Sequence, residues 1–251
     1  PSSCPGTPAT YTINIYPSPT ITNTPLSQTI CSGGTTTAVT LTSNVIGTTF
    51  SWTASAVPAG VTGYQVSGTN TIPSQTINNT SNIQGIVTYV ITPSGSINGC
   101  AGIPRNYSVY VDPIPVATAT PSTQIICSGM TTGINLSSTV SNTTFSWTAS
   151  APSSILGYSN GTGPAIIQTL TNTSNAPHDV TYVVTPTANG CVGNSITVVV
   201  TVVPSPNLVL PPPNQTTCSG VPVVLNLVAN YLGVTFTWTA SATGNVTGYS
   251  N

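Results

Sequence analysis

Charged side chains are almost absent from this chain of 251 residues, of which only 1% are Asp, Glu, Lys or Arg. A typical soluble domain has about 25% charged residues. Without a basic patch the chain cannot neutralise phosphates, which excludes nucleic-acid binding. Its two carboxylates and single His are too few for a calcium site, a two-metal site or ordinary acid–base catalysis. The sequence therefore predicts a protein that is not an enzyme and that has no cofactor or metal.

Long apolar runs are also missing, since no segment approaches the roughly 20 residues that a membrane-spanning helix needs. The most apolar segment, Ile196–Val203, has the length of one strand. We therefore expect no membrane insertion. The chain starts without Met and without a signal peptide. Because its internal repeat starts near the end of one unit and stops inside another, we interpret the chain as part of a longer one.

A repeat organises the sequence. A Thr-Phe-Ser/Thr-Trp-Thr-Ala-Ser heptad occurs three times, at Thr49–Ser55, Thr144–Ser150 and Thr235–Ser241. A Cys-Ser-Gly tripeptide recurs with periods of 96 and 91 residues, at Cys31, Cys127 and Cys218. A Cys-x-Gly step recurs in the same way, at Cys4, Cys100 and Cys191. Each period is the size of one small β-sandwich domain.

The phase of the repeat predicts four segments along the chain. Residues 1–18 are the end of one repeat, 19–114 and 115–205 are complete repeats, and 206–251 are the first part of another. From each Cys-x-Gly cysteine to the next Cys-Ser-Gly cysteine the spacing is constant at 27 residues. This segment contains a Pro-x-Pro step, so we expect a stiff connection between neighbouring repeats.

Alternation of apolar and polar residues predicts strands within each repeat. Phe50 and Trp52 point to one face of a strand, and Ser51 and Thr53 point to the other. No helical periodicity with capping residues occurs anywhere in the sequence. About seven strands in each period predict an all-β chain of tandem immunoglobulin-like sandwiches, each of about 91–96 residues.

The cysteines can pair in two ways that respect the repeat. Pairing within a repeat gives Cys31–Cys100 and Cys127–Cys191, and leaves Cys4 and Cys218 to partners elsewhere. Pairing across the connection gives Cys4–Cys31, Cys100–Cys127 and Cys191–Cys218. The constant spacing favours the second scheme. We favour the first, because the strand after Cys100 leads about 25 Å away. Either scheme implies an oxidising compartment.

Most of the aromatic residues are predicted to be structural. The heptad places a Phe and a Trp on the same face of a strand, which predicts core positions for Phe50, Trp52, Phe145, Trp147, Phe236 and Trp238. A tyrosine after a glycine recurs in a predicted loop, at Tyr64, Tyr158 and Tyr249. These three tyrosines are the candidates for an exposed contact, including a contact with a glycan.

The order of the motifs resembles a known family. In the second repeat the motifs are Cys127-Ser128-Gly129, Phe145–Thr148, Thr181–Pro186, Asn189–Cys191 and Val200–Pro204. They resemble the PKD-like repeats of very large Bacteroidota surface proteins, which are similar to the gliding-motility adhesins exported by the type IX secretion system. The resemblance implies extracellular, tandem β-sandwiches that work as stalks or adhesive filaments. The chain lacks the acidic turn of ordinary PKD domains, which removes the expectation of a metal there.

Three hypotheses of function follow from these observations. The first is a stalk segment of a giant cell-surface adhesin, whose partners are the adjacent repeats of its own chain. The second is lateral packing with other copies into a filament or sheath, because a net charge of −1 leaves little repulsion between molecules. The third is a carbohydrate-binding module that uses the Gly-Tyr positions. All three place the chain outside the cell.

Overall fold

The computed structural model describes residues 3–96, 99–209 and 214–249. These ranges contain strands, turns and loops but no helix, and so no helix there that could cross a membrane. The predicted all-β class is confirmed. The chain divides into two compact units. Unit 1 is Pro1–Pro115 with Thr139–Asn142 and Thr187–Val192, and unit 2 is Val116–Ser138, Thr143–Pro186 and Gly193–Asn251.

The strands of residues 3–115 are rich in Thr, Val, Ile and Tyr, which suit a pleated backbone. They are β1 (Ser27–Cys31), β2 (Gly34–Thr35), β3 (Val39–Thr40), β4 (Thr49–Val57), β5 (Val61–Thr62), β6 (Ser67–Thr69), β7 (Thr71–Ile72), β8 (Thr76–Asn79), β9 (Gly85–Ser94) and β10 (Arg105–Asp112). Buried and exposed residues alternate along the first half of β4, as the sequence predicts.

The main sheet of unit 1 has the strand order β1-β10-β9-β4-β6. β1 runs parallel to β10, with Cys31 opposite Asp112, whereas the other strand pairs of this sheet are antiparallel. Short strands form two further sheets, β2-β8-β5 and β3-β7. The buried cluster takes side chains from the main sheet and from these short strands, so unit 1 is a sandwich of two layers. Its members are Ile21, Leu41, Phe50, Trp52, Val61, Ile72, Ile77, Val87, Tyr89, Ile91, Tyr107, Val109 and Val111.

The strands that follow repeat this arrangement in unit 2. They are β11 (Ala117–Thr120), β12 (Thr123–Cys127), β13 (Ile134–Ser138), β14 (Thr144–Ser150), β15 (Ile155–Leu156), β16 (Gly161–Thr162), β17 (Ala165–Ile166), β18 (Thr171–Asn172), β19 (His178–Ala188), β20 (Cys191–Val192) and β21 (Ile196–Val203). The last two residues of β19 and all of β20 belong to unit 1.

The main sheet of unit 2 has the strand order β12-β21-β19-β14-β16, and β12 runs parallel to β21 with Cys127 opposite Val203. β11 instead pairs with β13 in a second sheet. The chain changes sheets at Pro121 and Ser122. Proline suits this point because it cannot donate a hydrogen bond to a sheet ladder. The core consists of Ala117, Ile126, Ile134, Leu136, Phe145, Trp147, Ile155, Ile166, Leu170, Val180, Tyr182, Val184, Val198, Val200 and Val202.

Residues 214–249 contain no strand, and one isolated bridge joins Leu208 to Ala229. Phe236 is half-buried, and Trp238 is 63% exposed, so the structure does not place them in a core as the heptad predicts. In unit 1, β6 and β9 cover the equivalent Trp52. Between residues 214 and 249 the structure has no strands equivalent to those two, which explains the exposure of Trp238.

Candidate functional site: a disulfide-linked hairpin

The few ionisable side chains do not gather into a cluster in the part of the chain that the structure describes. Arg105 is exposed at the start of β10, and the carboxylate of Asp179 accepts a 2.6 Å hydrogen bond from the Thr201 hydroxyl. Among the described residues, no three His, Cys, Asp or Glu side chains lie close enough together to hold a metal ion. The unusual chemistry of this chain lies instead around its cysteines and Asp112.

The tryptophans of the two complete repeats are covered rather than displayed. Trp52 is 2% exposed, its Nε1 donates to the Thr71 carbonyl at 3.2 Å, and its ring meets Tyr89 edge-on at 5.3 Å. A Cβ on Gly68 would lie 2.3 Å from Cζ2 of Trp52. Trp147 is 7% exposed, and Gly161 covers it in the same way. Neither ring therefore offers a face on which a sugar could stack.

Each core also contains a tyrosine whose hydroxyl donates to a glutamine. Tyr182 donates to Oε1 of Gln168 at 2.8 Å, and Tyr89 donates to Oε1 of Gln75 at 3.3 Å. Burial raises the pKa of Tyr182 to about 12. Burial also raises the pKa of Tyr89, and its hydrogen bond to Gln75 partly opposes that rise. Each of these hydrogen bonds attaches the segment that contains the glutamine to a tyrosine in the central strand of the sheet.

The three loop tyrosines predicted as contacts do not behave alike. Tyr64 and Tyr158 are half-buried and pack against the cores of their units, and the Tyr158 hydroxyl donates to the Ala151 carbonyl at 3.4 Å. Tyr249 is 54% exposed. Tyr64 and Tyr158 each follow a glycine with positive φ and pack against the core, so they do not form the exposed contact that was predicted.

The Cys-Ser-Gly tripeptide forms a turn at the end of β1. The Ser32 amide donates to the Asp112 carbonyl at 2.8 Å, and the Gly33 amide donates to the Ile77 carbonyl at 2.8 Å. Gly33 has a φ of 79°, a conformation that favours glycine. The turn therefore holds Cys31 at the end of β1, level with the end of β10.

A disulfide joins Cys31 to Cys191, which are 160 positions apart in sequence and have their Cα atoms 5.6 Å apart. Cys191 follows a two-residue turn in which Asn189 and Gly190 have φ values of 50° and 80°. This turn connects β19 to β20, and we call Thr187–Val192 the hairpin. The hairpin belongs to unit 1, in which Cys191 is 1% exposed.

This disulfide corrects the predicted pairing, because neither Cys31–Cys100 nor Cys127–Cys191 forms. Cys100 and Cys127 are free, as are Cys4 and Cys218. The parallel register explains the difference. Cys31 lies opposite Asp112, at the far end of β10 from Cys100, and β10 alone is about 23 Å long. Bridged Cα atoms must lie within about 7 Å of each other, so a bond within the repeat is out of reach.

Asp112 is a buried carboxylate beside this disulfide, and no recurring motif marks it in the sequence. It is 3% exposed. Its Oδ1 accepts hydrogen bonds from Nε2 of Gln84 at 2.9 Å and from Nδ2 of Asn189 in the hairpin at 3.3 Å. A buried charge needs such partners, since leaving it unpaired is costly. Asp112 thus holds the hairpin by a charge-assisted bond next to the covalent one.

A buried asparagine supports the same end of each sandwich. In unit 1, Nδ2 of Asn79 donates to the carbonyls of Ile83 and Val111, both at 2.8 Å. In unit 2, Asn172 makes the equivalent pair of bonds to Ala176 and Val202, also at 2.8 Å. The signal for these residues was present in the sequence as a recurring Asn-Thr-Ser-Asn tetrapeptide, at Asn79–Asn82 and Asn172–Asn175.

Two sandwiches with the same strand order, built from successive repeats of one sequence, define a tandem immunoglobulin-like protein. The PKD-like domain family model matches residues 28–115, 124–206 and 215–251, and the chain belongs to that family. Domains of this family are typically structural, and they are typical of extracellular proteins. No curated protein matches the chain.

Several solved structures resemble the chain at low sequence identity. The EC21–23 fragment of human CDH23 is 12% identical, with a TM-score of 0.38, and the match covers 84% of this chain and 79% of that one. Mouse cadherin-23 EC22–24 is 11% identical, with a TM-score of 0.41 and coverage of 77% and 70%. Extracellular cadherin domains 3–6 of protocadherin gamma B2 are 11% identical, with a TM-score of 0.40 and coverage of 75% and 52%. These likenesses concern the fold alone.

Proposed function

We propose that the chain is a stalk segment of a large, repetitive adhesin on the cell surface. The observation that carries this proposal is the Cys31–Cys191 bond, which closes a covalent loop across the two complete repeats. A spacer must keep its length when its ends are pulled, and a bond across successive repeats serves that purpose. Membership of a family of typically structural, extracellular domains supports the same role.

A narrower proposal concerns the kind of adhesin. The motifs of the repeat resemble those of giant Bacteroidota surface proteins, and this supports a role in surface adhesion or gliding motility after export by type IX secretion. In that role the repeats space an adhesive tip from the cell, and each repeat contacts mainly its neighbours.

Immunogold electron microscopy of cells that make the protein tests the stalk. Antibody raised against residues 1–251 should label thin fibres that stand away from the cell surface, one sandwich wide. Cells from which the gene has been deleted are the control. Label confined to the cell interior would contradict the proposal.

A second candidate, lateral assembly into a filament or sheath, is favoured by one observation. The outer faces of the central strands carry apolar residues at equivalent positions, Val90 in β9 and Val183 in β19, which are 40% and 39% exposed. Ile125 in β12 is 75% exposed. Such residues could pack against another copy once charge repulsion is absent. In the same micrographs, bundles of several chains would support this candidate over the single-chain stalk.

A further inference from the structure

The disulfide between Cys31 and Cys191 follows a rule that can be stated in terms of the repeat. Cys31 belongs to the Cys-Ser-Gly tripeptide of the repeat matched at 28–115. Cys191 belongs to the Asn-Gly-Cys hairpin of the repeat matched at 124–206. The bond therefore runs from the tripeptide of one repeat to the hairpin of the next.

The tripeptide of the second repeat reproduces the geometry of the first. The Ser128 amide donates to the Val203 carbonyl at 2.8 Å, and the Gly129 amide donates to the Leu170 carbonyl at 2.7 Å. Gly129 has a φ of 87°. Cys127 thus ends β12 as Cys31 ends β1, with the same buried asparagine scaffold beneath it. Unlike Cys31, it is an exposed free thiol.

One backbone contact next to the hairpin cysteine of the second repeat recurs next to Cys100 of the first. The Gly102 amide donates to the Pro93 carbonyl at 2.8 Å, as the Gly193 amide donates to the Pro186 carbonyl at 2.9 Å. Cys100 lies at the position of Cys191 and is half-buried with a free thiol, whereas the bonded Cys191 is 1% exposed.

We propose that each tripeptide cysteine of this chain's repeats bonds to the hairpin cysteine of the following repeat, so that successive disulfides interlock along the chain. Cys127 then takes the hairpin cysteine of the repeat that begins at residue 215, and Cys100 takes the tripeptide cysteine of the repeat before its own. Cys4, a hairpin cysteine like Cys100, pairs with the tripeptide cysteine of the repeat before its own. Cys218, a tripeptide cysteine like Cys127, pairs with the hairpin cysteine of the repeat after its own. The proposal rests on the observed bond and does not depend on the stalk role.

The rule accounts for all six cysteines of residues 1–251. It assigns one bond, Cys31–Cys191, and it leaves Cys4, Cys100, Cys127 and Cys218 without an eligible partner in this range, as the structure does. Pairing within repeats would leave two cysteines free, and pairing across the connections would leave none. The two alternative rules therefore disagree with the structure at four cysteines or more.

The second repeat has a tripeptide cysteine, Cys127, equivalent to Cys31, but it has no carboxylate equivalent to Asp112. Val203 occupies in unit 2 the place that Asp112 occupies in unit 1, so the hydrogen bond that Asp112 accepts from Asn189 has no counterpart there. At the second repeat, interlocking therefore depends on the disulfide without this hydrogen bond. The Asp112 contact is an addition specific to the first repeat.

Formation of each bond requires a disulfide-bearing oxidant. A Cys127 thiolate attacks one sulfur of the oxidant and releases a thiol, which gives a mixed disulfide. The thiolate of the incoming hairpin cysteine then attacks the Cys127 sulfur and releases the second thiol. Two protein thiols lose two electrons and two protons, and the oxidant is reduced to two thiols. Oxidised glutathione supplies this chemistry in the test below.

Trypsin tests the rule in the chain as it stands, because Arg105 is its only cleavage site. After oxidation with glutathione and cleavage in urea, residues 1–105 and 106–251 should stay linked on a non-reducing gel. They should also stay linked in Cys127→Ser, which cannot form Cys100–Cys127. They should separate in Cys31→Ser and in Cys191→Ser. Linkage that is lost in Cys127→Ser, or separation of the unmodified chain, would overturn the rule.

An extended chain tests the interlock itself. Residues 161–206 appended after Asn251 complete a third repeat and add one hairpin cysteine, since Asn251 is equivalent to Asn160. The four alkylatable thiols of the parent chain should fall to three although a cysteine has been added, with Cys127 bonded to the added residue by peptide mapping. The matched chain with serine at the added position should keep four.

Five thiols in the extended chain, or a bond from Cys127 to any other cysteine, would overturn the proposal. If the added repeat does not fold, Cys31→Ser in the parent chain still decides the matter. The rule predicts that Cys191 in this variant remains a thiol, and a Cys127–Cys191 bond there would contradict it.

Discussion

Replacing Cys31 by Ser should destabilise unit 1, whereas replacing Cys127 by Ser should not. The bond closes a loop of 160 residues, for which the chain-entropy relation gives about 5 kcal/mol. If unit 2 stays folded while unit 1 opens, the flexible loop shortens to about 85 residues, and the value falls only to about 4.5 kcal/mol because the dependence is logarithmic. Measured disulfides typically contribute about 2–4 kcal/mol. We therefore expect a loss of about 2–5 kcal/mol.

Hydrogen-exchange mass spectrometry measures this loss separately in each unit. Amides of β4 report on unit 1 and those of β14 report on unit 2, since both strands have a neighbour on each side in their sheets. Protection of β4 should fall by about one and a half to three and a half orders of magnitude in Cys31→Ser. Cys127→Ser removes an exposed free thiol at the equivalent turn and should stay within about 0.5 kcal/mol of the parent. Equal effects of the two variants on β4 would refute the reasoning.

Two further predictions concern the cores. Gly68→Ala should lower the free energy of unfolding in urea by about 1–3 kcal/mol, because its Cβ would lie 2.3 Å from the Trp52 ring. The control Gly133→Ala has open space around its Cβ and should lower it by well under about 1 kcal/mol. Similar losses in the two variants would contradict the packing described for Trp52. Stability should also fall as the pH rises from about 10 to about 12, because burial raises the pKa of Tyr182 to about 12 and the unfolded chain therefore loses this proton first. With cysteines alkylated, the urea midpoint should show this fall, and Tyr182→Phe should flatten it; an unchanged slope in that variant would assign the effect to other groups.

Local alternation was enough to predict the sandwich from sequence. The spacing of Phe50 and Trp52 predicts which face of β4 is buried. The same heptad occurs again at Phe145 and Trp147, which predicts a second sandwich of the same kind. Burial of one face is decided by neighbours in the same strand, so it leaves a signal of period two in the sequence.

The cysteine pairing could not be predicted in this way, because it depends on the direction of a strand. The direction of β1 relative to β10 decides which end of β10 Cys31 lies beside. The residues of β1 are compatible with a parallel and with an antiparallel arrangement. The buried role of Asp112 was missed for a similar reason. Its partners Gln84 and Asn189 come from distant parts of the sequence. Asn189 belongs to the recurring Asn-Gly-Cys motif, but the motif does not show which side chain it contacts.

The disulfide also sets how far the chain can be stretched. When the two ends are pulled, tension that reaches Cys31 passes to Cys191 through one sulfur–sulfur bond and bypasses residues 32–190. Unfolding of that segment would otherwise release a contour length of roughly 550 Å, at about 3.4 Å per residue. In the oxidised chain the disulfide prevents this extension even if both sandwiches unfold. A reductant releases it, so the redox state of the surroundings decides whether residues 32–190 add to the length of the stretched chain.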